Sequence, residues 1–321
     1  MRKIEKILLP VDFPNTSLSV IHQAAVLARH FNSEIVMLHV VTAESRRAGV
    51  PEYGSELADW DMLAVITQEA ENDLDQSLGQ ELKHLAIRCV LCEGNPAQAI
   101  LHTAQVEKAD LIMMASHGAA LNQFLVGSVT TKVLQGSGCP VWTDGRVEKS
   151  EASLAADNPM LLYGGAGMWM HGMRTVKHGE QRGPIPEFAI HNVLCAVDLG
   201  PRSNKAASWA AAMAAEFGAH LTLAHVTASV ELWGPGGNYA DPKLREELVD
   251  DASRRLAKLQ QETGVKADTL IGSGDVPRVL SQAAKQTKAD LLVTGCYPYD
   301  GNLRIHGYPI IWAVPIPVLS V

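Results

Sequence analysis

The chain has 321 residues, about the length of two average domains. Charged residues make up 19% and hydrophobic residues 47%, a balance that excludes a disordered chain. The net charge of −8 argues against nucleic acid as a partner, and no apolar run reaches the ~18–20 residues of a membrane helix. The charged N-terminus also lacks the apolar core of a signal peptide. We therefore expect a cytoplasmic protein with no nucleic-acid or membrane partner.

In the first 143 residues, short apolar runs alternate with amphipathic segments. The predicted strands, in chain order, are residues 6–12, 34–41, 87–92, 110–115 and 139–143. The predicted helices, in the same order, begin near residue 18 and then span residues 61–85, 96–107 and 127–135. A regular alternation of strand and helix predicts a parallel sheet of five strands with helices on both faces.

Five cysteines are scattered along the chain, an odd number that fits a reducing compartment better than a disulfide framework. Cys89 and Cys92 spell a CxxC motif, which in redox proteins opens a helix that lowers the thiol pKa. Here the motif lies in a predicted strand, where residues three apart point to opposite faces. The pattern therefore indicates a structural role.

The second part of the chain repeats the first. Four pairs of segments match in the same order, at an offset that shrinks from 186 to 177 residues: 6–13 with 192–199, 33–41 with 219–227, 108–112 with 288–292, and 140–141 with 317–318. A constant order with a slowly shrinking offset indicates a duplicated domain whose second copy has lost loop and helix residues.

The predicted fold class is therefore α/β, with two similar domains that are each an open five-stranded parallel sheet with helices on both faces. We assign residues 1–143 to domain 1, 144–189 to a linker or insert, and 190–321 to domain 2. The last strands of the two domains are apolar, and exposed apolar edges invite aggregation. We expect these strands to pair within the chain, while a homodimer of the whole chain is left open.

The insert contains a segment rich in methionine and glycine, residues 160–173. Four methionines and one histidine are a ligand set that suits Cu(I). The simpler interpretation, which we favour, is an apolar flap over the junction between the two domains.

In an open parallel sheet, ligands bind beyond the carboxyl ends of the strands, near the point where the strand order reverses. In domain 1 this edge gathers Asp12, Val41 and the loop from Ala115 to Ser128. In that loop Gly127 and Ser128 open a helix, and the free N–H groups of a helix N-terminus bind phosphate. Two structural alternatives stay open: Asp12 satisfying the start of the first helix, and Ser128 acting as a plain N-cap.

These residues resemble the universal stress protein family in its tandem form, over about 275 residues. The ATP-binding members carry Gly-x2-Gly-x9-Gly-Ser/Thr after the fourth strand and an Asp after the first. The resemblance implies an adenine-nucleotide alpha-hydrolase-like fold and a stress-response binding or signalling function with an unknown protein partner. It also implies nucleotide contacts at nine positions: Val11, Asp12, Val41, Met114, Ala115, Gly118, Gly127, Ser128 and Val129.

Two departures from the family motif bear on this site. Ala115 stands where the family has its first glycine, and eight residues instead of nine separate Gly118 from Gly127. We expect ATP or ADP in domain 1, with Mg²⁺ as a candidate companion. In domain 2, Pro298 replaces the second glycine and Tyr308-Pro309 follow Gly307, before a helix predicted to be three residues shorter. We expect no nucleotide there.

Several enzyme classes are disfavoured, because the chain contains no P-loop, no Rossmann fingerprint after a first strand and no nucleophile elbow. The 12 histidines do not cluster at metal-ligand spacing, and His39 and His225 occupy equivalent strand positions, which indicates a role in the fold. A binding module is favoured over catalysis. An interaction scaffold without nucleotide and a slow ATP hydrolase are the alternatives.

Overall fold

The computed structural model describes residues 3–11, 18–42, 82, 84–116, 127–145, 188–228, 231–234, 237–240, 242–295 and 307–321. In the first half of the chain the elements are β1 (Lys6–Val11), α1 (Leu18–Phe31), β2 (Glu34–Val41), β3 (Ile87–Glu93), α2 (Pro96–Val106), β4 (Leu111–Met114), α3 (Ser128–Gly136) and β5 (Val141–Thr143). In the second half they are β6 (Asn192–Ala196), α4 (Ser203–Phe217), β7 (His220–Thr227), β8 (Glu231–Gly234), β9 (Gly237–Ala240), α5 (Pro242–Thr263), β10 (Asp268–Ser273), α6 (Val276–Thr287), β11 (Leu291–Thr294), α7 (Gly307–Ala313) and β12 (Val318–Ser320).

The predicted α/β fold is confirmed, and the strands and helices expected within the described residues are present with ends shifted by at most two residues. Most of the expected helix over 61–85, apart from residues 82, 84 and 85, and the whole segment 160–173 lie outside the described residues. The hairpin of β8 and β9 was not expected from the sequence.

Ten strands form one sheet in the order β10-β7-β6-β11-β12-β5-β4-β1-β2-β3. Within each half the neighbouring strands are parallel, and the chain order reverses between β1 and β4 and again between β6 and β11. The two halves meet where β5 and β12 run antiparallel. The carboxyl ends of β1 and β4 therefore lie at a switch point, the place where ligands bind in open parallel sheets.

One apolar core covers each face of this sheet, and both cores contain residues of both halves. Ile7 and Leu9 of β1 belong to the core beneath α1, while Leu8 between them belongs to the core beneath α2. This alternation follows from the two-residue period of a strand. The uninterrupted apolar runs noted in the sequence are thus strands that are buried on both sides.

The two thiols of the CxxC motif follow the same rule. Cys89 packs against the core beneath α1 and Cys92 against the core beneath α2, which confirms that they point to opposite faces of β3. Neither of them is part of a disulfide. Cys195 of β6 is fully buried, and burial raises the pKa of its thiol to about 12, so that it stays protonated and unreactive.

The junction between the halves is a close contact of backbone and side chains. Trp142 of β5 lies directly opposite Leu319 of β12, and both are buried. Just after β5, a Cβ on Gly145 would come within 2.6 Å of the Ile316 carbonyl carbon, so this close approach requires glycine.

Candidate functional site

The carboxyl edge of the first half brings together most of the residues singled out in the sequence. Val11 ends β1 and Met114 ends β4, and both are buried beside the switch point. Val41 ends β2 and is partly exposed. Because β1 pairs with both β2 and β4, these three strand ends are neighbours along one edge.

The turn that follows β4 is anchored at its base by three hydrogen bonds. The Ser116 N–H donates to Oδ1 of Asp144 over 2.6 Å. The Thr130 hydroxyl donates to the Ala115 carbonyl over 3.2 Å, and the Gly127 N–H donates to the Ser116 carbonyl over 3.3 Å. These bonds hold Ala115 and Gly127 close to each other at the two ends of a loop. Residues 117–126 of that loop lie outside the described residues.

The substitution of glycine by Ala115 is sterically compatible with this turn. Ala115 does not belong to the residues of positive φ, where a Cβ is disfavoured. The altered length between Gly118 and Gly127 falls in the segment outside the described residues, as does Gly118 itself.

The N-cap of α3 is Gly127, with φ −54° and ψ 145°, which has no side chain to cap the first amides of the helix. Ser128 is the first helical residue and its side chain is exposed, so the alternative that Ser128 serves as the N-cap is wrong. Val129 turns inward and packs against the core beneath α2. The first N–H groups of a helix have no partner within the helix, so an anion is favoured at such a start.

Asp12 lies outside the described residues. Its counterpart in the second half, Asp198, has the structural role considered for Asp12, at the start of the first helix of its half. Asp198 accepts hydrogen bonds from the Gly200 N–H and the Ser203 hydroxyl through Oδ1, both over 2.9 Å. These bonds shape the turn that leads into α4. In the second half this Asp therefore organises the turn that precedes α4.

The two equivalent histidines have the role in the fold that the sequence indicates. Nδ1 of His39 donates to the Val11 carbonyl over 3.0 Å, and Nδ1 of His225 donates to the Val197 carbonyl over 2.8 Å. Each bond ties the end of the first strand of a half to the second strand. This confirms their interpretation as fold residues.

Asp144 is the site residue that the sequence reading missed. It was assigned to the linker because a polar stretch follows it, yet its side chain is only 5% exposed and holds Ser116. The available signal was its position directly after the last strand, at the same carboxyl edge as the other candidates.

In the second half, the helix that follows the fourth strand differs from α3 in length and in its first turn. Its helix α7 has seven residues against nine in α3, so the shortening is two residues rather than the three expected. Pro309 is the third residue of α7 and lacks an N–H in the first turn. Pro298 lies outside the described residues.

The described part of the chain contains neither a metal-type side-chain cluster nor a membrane-spanning helix. Among those residues no three or more His, Cys, Asp or Glu side chains are grouped as a metal ion would require. No helix there is both long and apolar enough to cross a bilayer.

A model of the universal stress protein family matches residues 3–143 and 189–304. The chain belongs to this family. A universal stress protein of Methanocaldococcus jannaschii is 30% identical over 140 residues, which make up 43% of this chain and 79% of that protein.

Solved structures share the fold over nearly the whole chain. A functionally unknown protein of Pseudomonas aeruginosa is 15% identical, with a TM-score of 0.60 and coverage of 99% of this chain and 92% of that one. A universal stress protein of Archaeoglobus fulgidus is 19% identical, with a TM-score of 0.55 and coverage of 99% and 96%. At these identities the likeness concerns the fold alone.

Proposed function

We propose that this universal stress protein binds ATP or ADP at the carboxyl edge of its first half and acts as a nucleotide-responsive binding or signalling module of the cytoplasm. The observation that carries the proposal is the glycine-capped start of α3, held at the switch point by the bond between Ser116 and Asp144. The N-terminus of a helix favours phosphate through its backbone N–H groups and its dipole.

The candidate residues divide by chemistry. Val11, Val41 and Met114 offer apolar surface to the adenine and ribose, and Asp12 offers acceptors to ribose hydroxyls. The phosphates would meet the backbone at Gly118 and at the helix start of Gly127, Ser128 and Val129. Mg²⁺ would accompany ATP and be held mainly by phosphate oxygens and water, as this ion commonly is.

Thermal denaturation with and without nucleotide tests the proposal. A ligand present at about 100 times its Kd stabilises the folded state by about 2.7 kcal/mol, so ATP or ADP with Mg²⁺ should raise the unfolding temperature. Asp12→Ala should remove most of that rise. The matched control is Asp198→Ala at the equivalent position of the second half, which should lower the basal unfolding temperature but leave the nucleotide-induced rise intact.

A scaffold without nucleotide is the second candidate, favoured by the shorter loop between Gly118 and Gly127. The absence of any shift at millimolar ATP and ADP would overturn the first proposal in favour of this one. Slow ATP hydrolysis is the third candidate, and phosphate release over hours, compared between wild type and Asp12→Ala, tests it separately.

A further inference from the structure

The junction between the halves contains three contacts in which a residue meets its own counterpart from the other copy. Trp142 and Leu319 are equivalent positions of the two copies and lie opposite each other in the β5–β12 ladder. His30 and Glu216 are equivalent positions at the ends of α1 and α4, and their side chains join over 3.2 Å. Such contacts occur where a two-fold axis passes, because only there does a residue face itself.

The strand contact is complementary in size. Trp142 and Leu319 share the core beneath α1, where directly opposite side chains touch. The Trp142 indole N–H donates to Oε1 of Gln23 over 2.7 Å. Two tryptophans facing each other would overpack this position, and two leucines would leave a void. One of each fills it.

The helix contact pairs a basic side chain with an acidic one. Nε2 of His30 meets Oε1 of Glu216, and the imidazole stacks on Phe217 with ring centroids 4.2 Å apart. The third self-equivalent pair, Phe31 and Phe217, packs edge to face at 5.8 Å. Two copies of the first half would bring two histidines together here, and two copies of the second half would bring two glutamates together.

We propose that these pairs select unlike halves: the surface formed by His30, Phe31 and Trp142 fits the second half of this chain, carrying Glu216, Phe217 and Leu319, better than a second copy of itself. Size complementarity acts at the strand pair and acid–base pairing at the helix pair. Duplication has thus produced a junction specific for the intramolecular partner, and this inference does not depend on nucleotide binding.

The proposal is tested by exchanging residues between the two surfaces in the full chain. His30 and Trp142 define the first face, and Glu216 and Leu319 define the second face. Glu216→His with Leu319→Trp gives both halves the first face, and His30→Glu with Trp142→Leu gives both halves the second face. Each like-faced variant should lose about 5 to 10 °C in unfolding temperature, as core changes of this kind do in a chain of this size. The variant with all four substitutions again pairs unlike faces. Its unfolding temperature should fall by less than half of the sum of the decreases in the two like-faced variants.

The four proteins are the wild type, the two like-faced variants and the fully exchanged variant. The wild type and the fully exchanged variant pair unlike faces, so comparing their stability with that of the like-faced variants measures the preference for unlike faces. If the fully exchanged variant loses the sum of both like-faced losses, the proposal is overturned.

The pair His30–Glu216 alone repeats the test without changing Trp142 or Leu319. His30→Glu and Glu216→His should each lower the unfolding temperature, because each leaves two like side chains opposite each other. Their combination should recover at least half of the summed loss, and the recovery should shrink in 1 M NaCl. Additive losses in this second comparison overturn the selection at the helix pair, whatever the core variants do.

Discussion

At the scale of single residues, the base of the β4–α3 turn depends on one buried carboxylate. Ser116 is 1% exposed, and its N–H donates to Asp144. Asp144→Ala should leave this donor unsatisfied and lower the free energy of unfolding by about 1–3 kcal/mol. Urea unfolding measures the loss. The same variant should also weaken the ATP-induced rise in unfolding temperature, since the turn positions Gly127.

Asp144→Asn serves as the matched control, because the amide oxygen keeps an acceptor of nearly the same shape. It should lose less stability than Asp144→Ala. Equal stability of the wild type and Asp144→Ala would show that this hydrogen bond does not hold the turn.

At the scale of elements, the first helix of each copy is followed by a residue with positive φ, although the residue type differs between the copies. Asn32 after α1 and Gly218 after α4 are equivalent positions, and both adopt positive φ, 54° and 63°. Asn tolerates this conformation better than most residues, and glycine adopts it freely. The positive φ at this helix end is thus kept in both copies, although the residue that adopts it has changed.

The amino-terminal edge of the first half is joined by four alternating charges. Lys6 contacts Glu34 and Glu107 over 3.4 and 3.2 Å, and Arg88 contacts the same two carboxylates over 3.2 and 2.5 Å. The hydrogen bond from Arg88 lowers the pKa of Glu107, and burial only partly opposes it. The cluster ties three strands to the end of α2.

Glu107→Gln should lower stability at pH 7 by about 1 kcal/mol or less, because the cluster is partly exposed and screened. The folded-state pKa of Glu107 lies below its usual 4.5, so the ionised carboxylate stabilises the fold above about pH 4.5. That contribution is lost as the pH falls through the folded-state pKa. The difference between wild type and variant in urea unfolding should therefore shrink from pH 7 to pH 3.5.

Glu246→Gln, on the exposed surface of α5, is the matched control for the loss of a carboxylate outside this cluster. A Glu107→Gln difference that stays constant down to pH 3.5 would contradict the assignment. In the second half the positions of Glu34 and Arg88 are taken by His220 and Asp268, 2.9 Å apart, so the acid and the base have exchanged strands.

At the scale of the whole molecule, the halves share both apolar cores. A chain built in this way should unfold in one cooperative transition, because loss of either half uncovers the core of the other. Tryptophan fluorescence and far-ultraviolet circular dichroism should therefore give coincident curves in urea. Two separate transitions would show instead that each half is stable without its partner.

Much of this architecture could be predicted from sequence because it rests on local periodicity. The strand from 34 to 41 was predicted with its observed ends, and the opposite orientation of Cys89 and Cys92 followed from the strand period alone. The candidate site was predicted less completely, since Asp144 looks like linker until the fold brings it to Ser116, 28 residues away.

The sequence by itself determined the duplication, the α/β class and the family, because repeats and strand–helix alternation are written along the chain. The tertiary structure decided which side chains meet: Trp142 with Leu319, His30 with Glu216, and Asp144 with Ser116. These contacts join residues from 28 to 186 positions apart. Their geometry depends on strand register and helix packing, which arise only when the whole sheet is assembled.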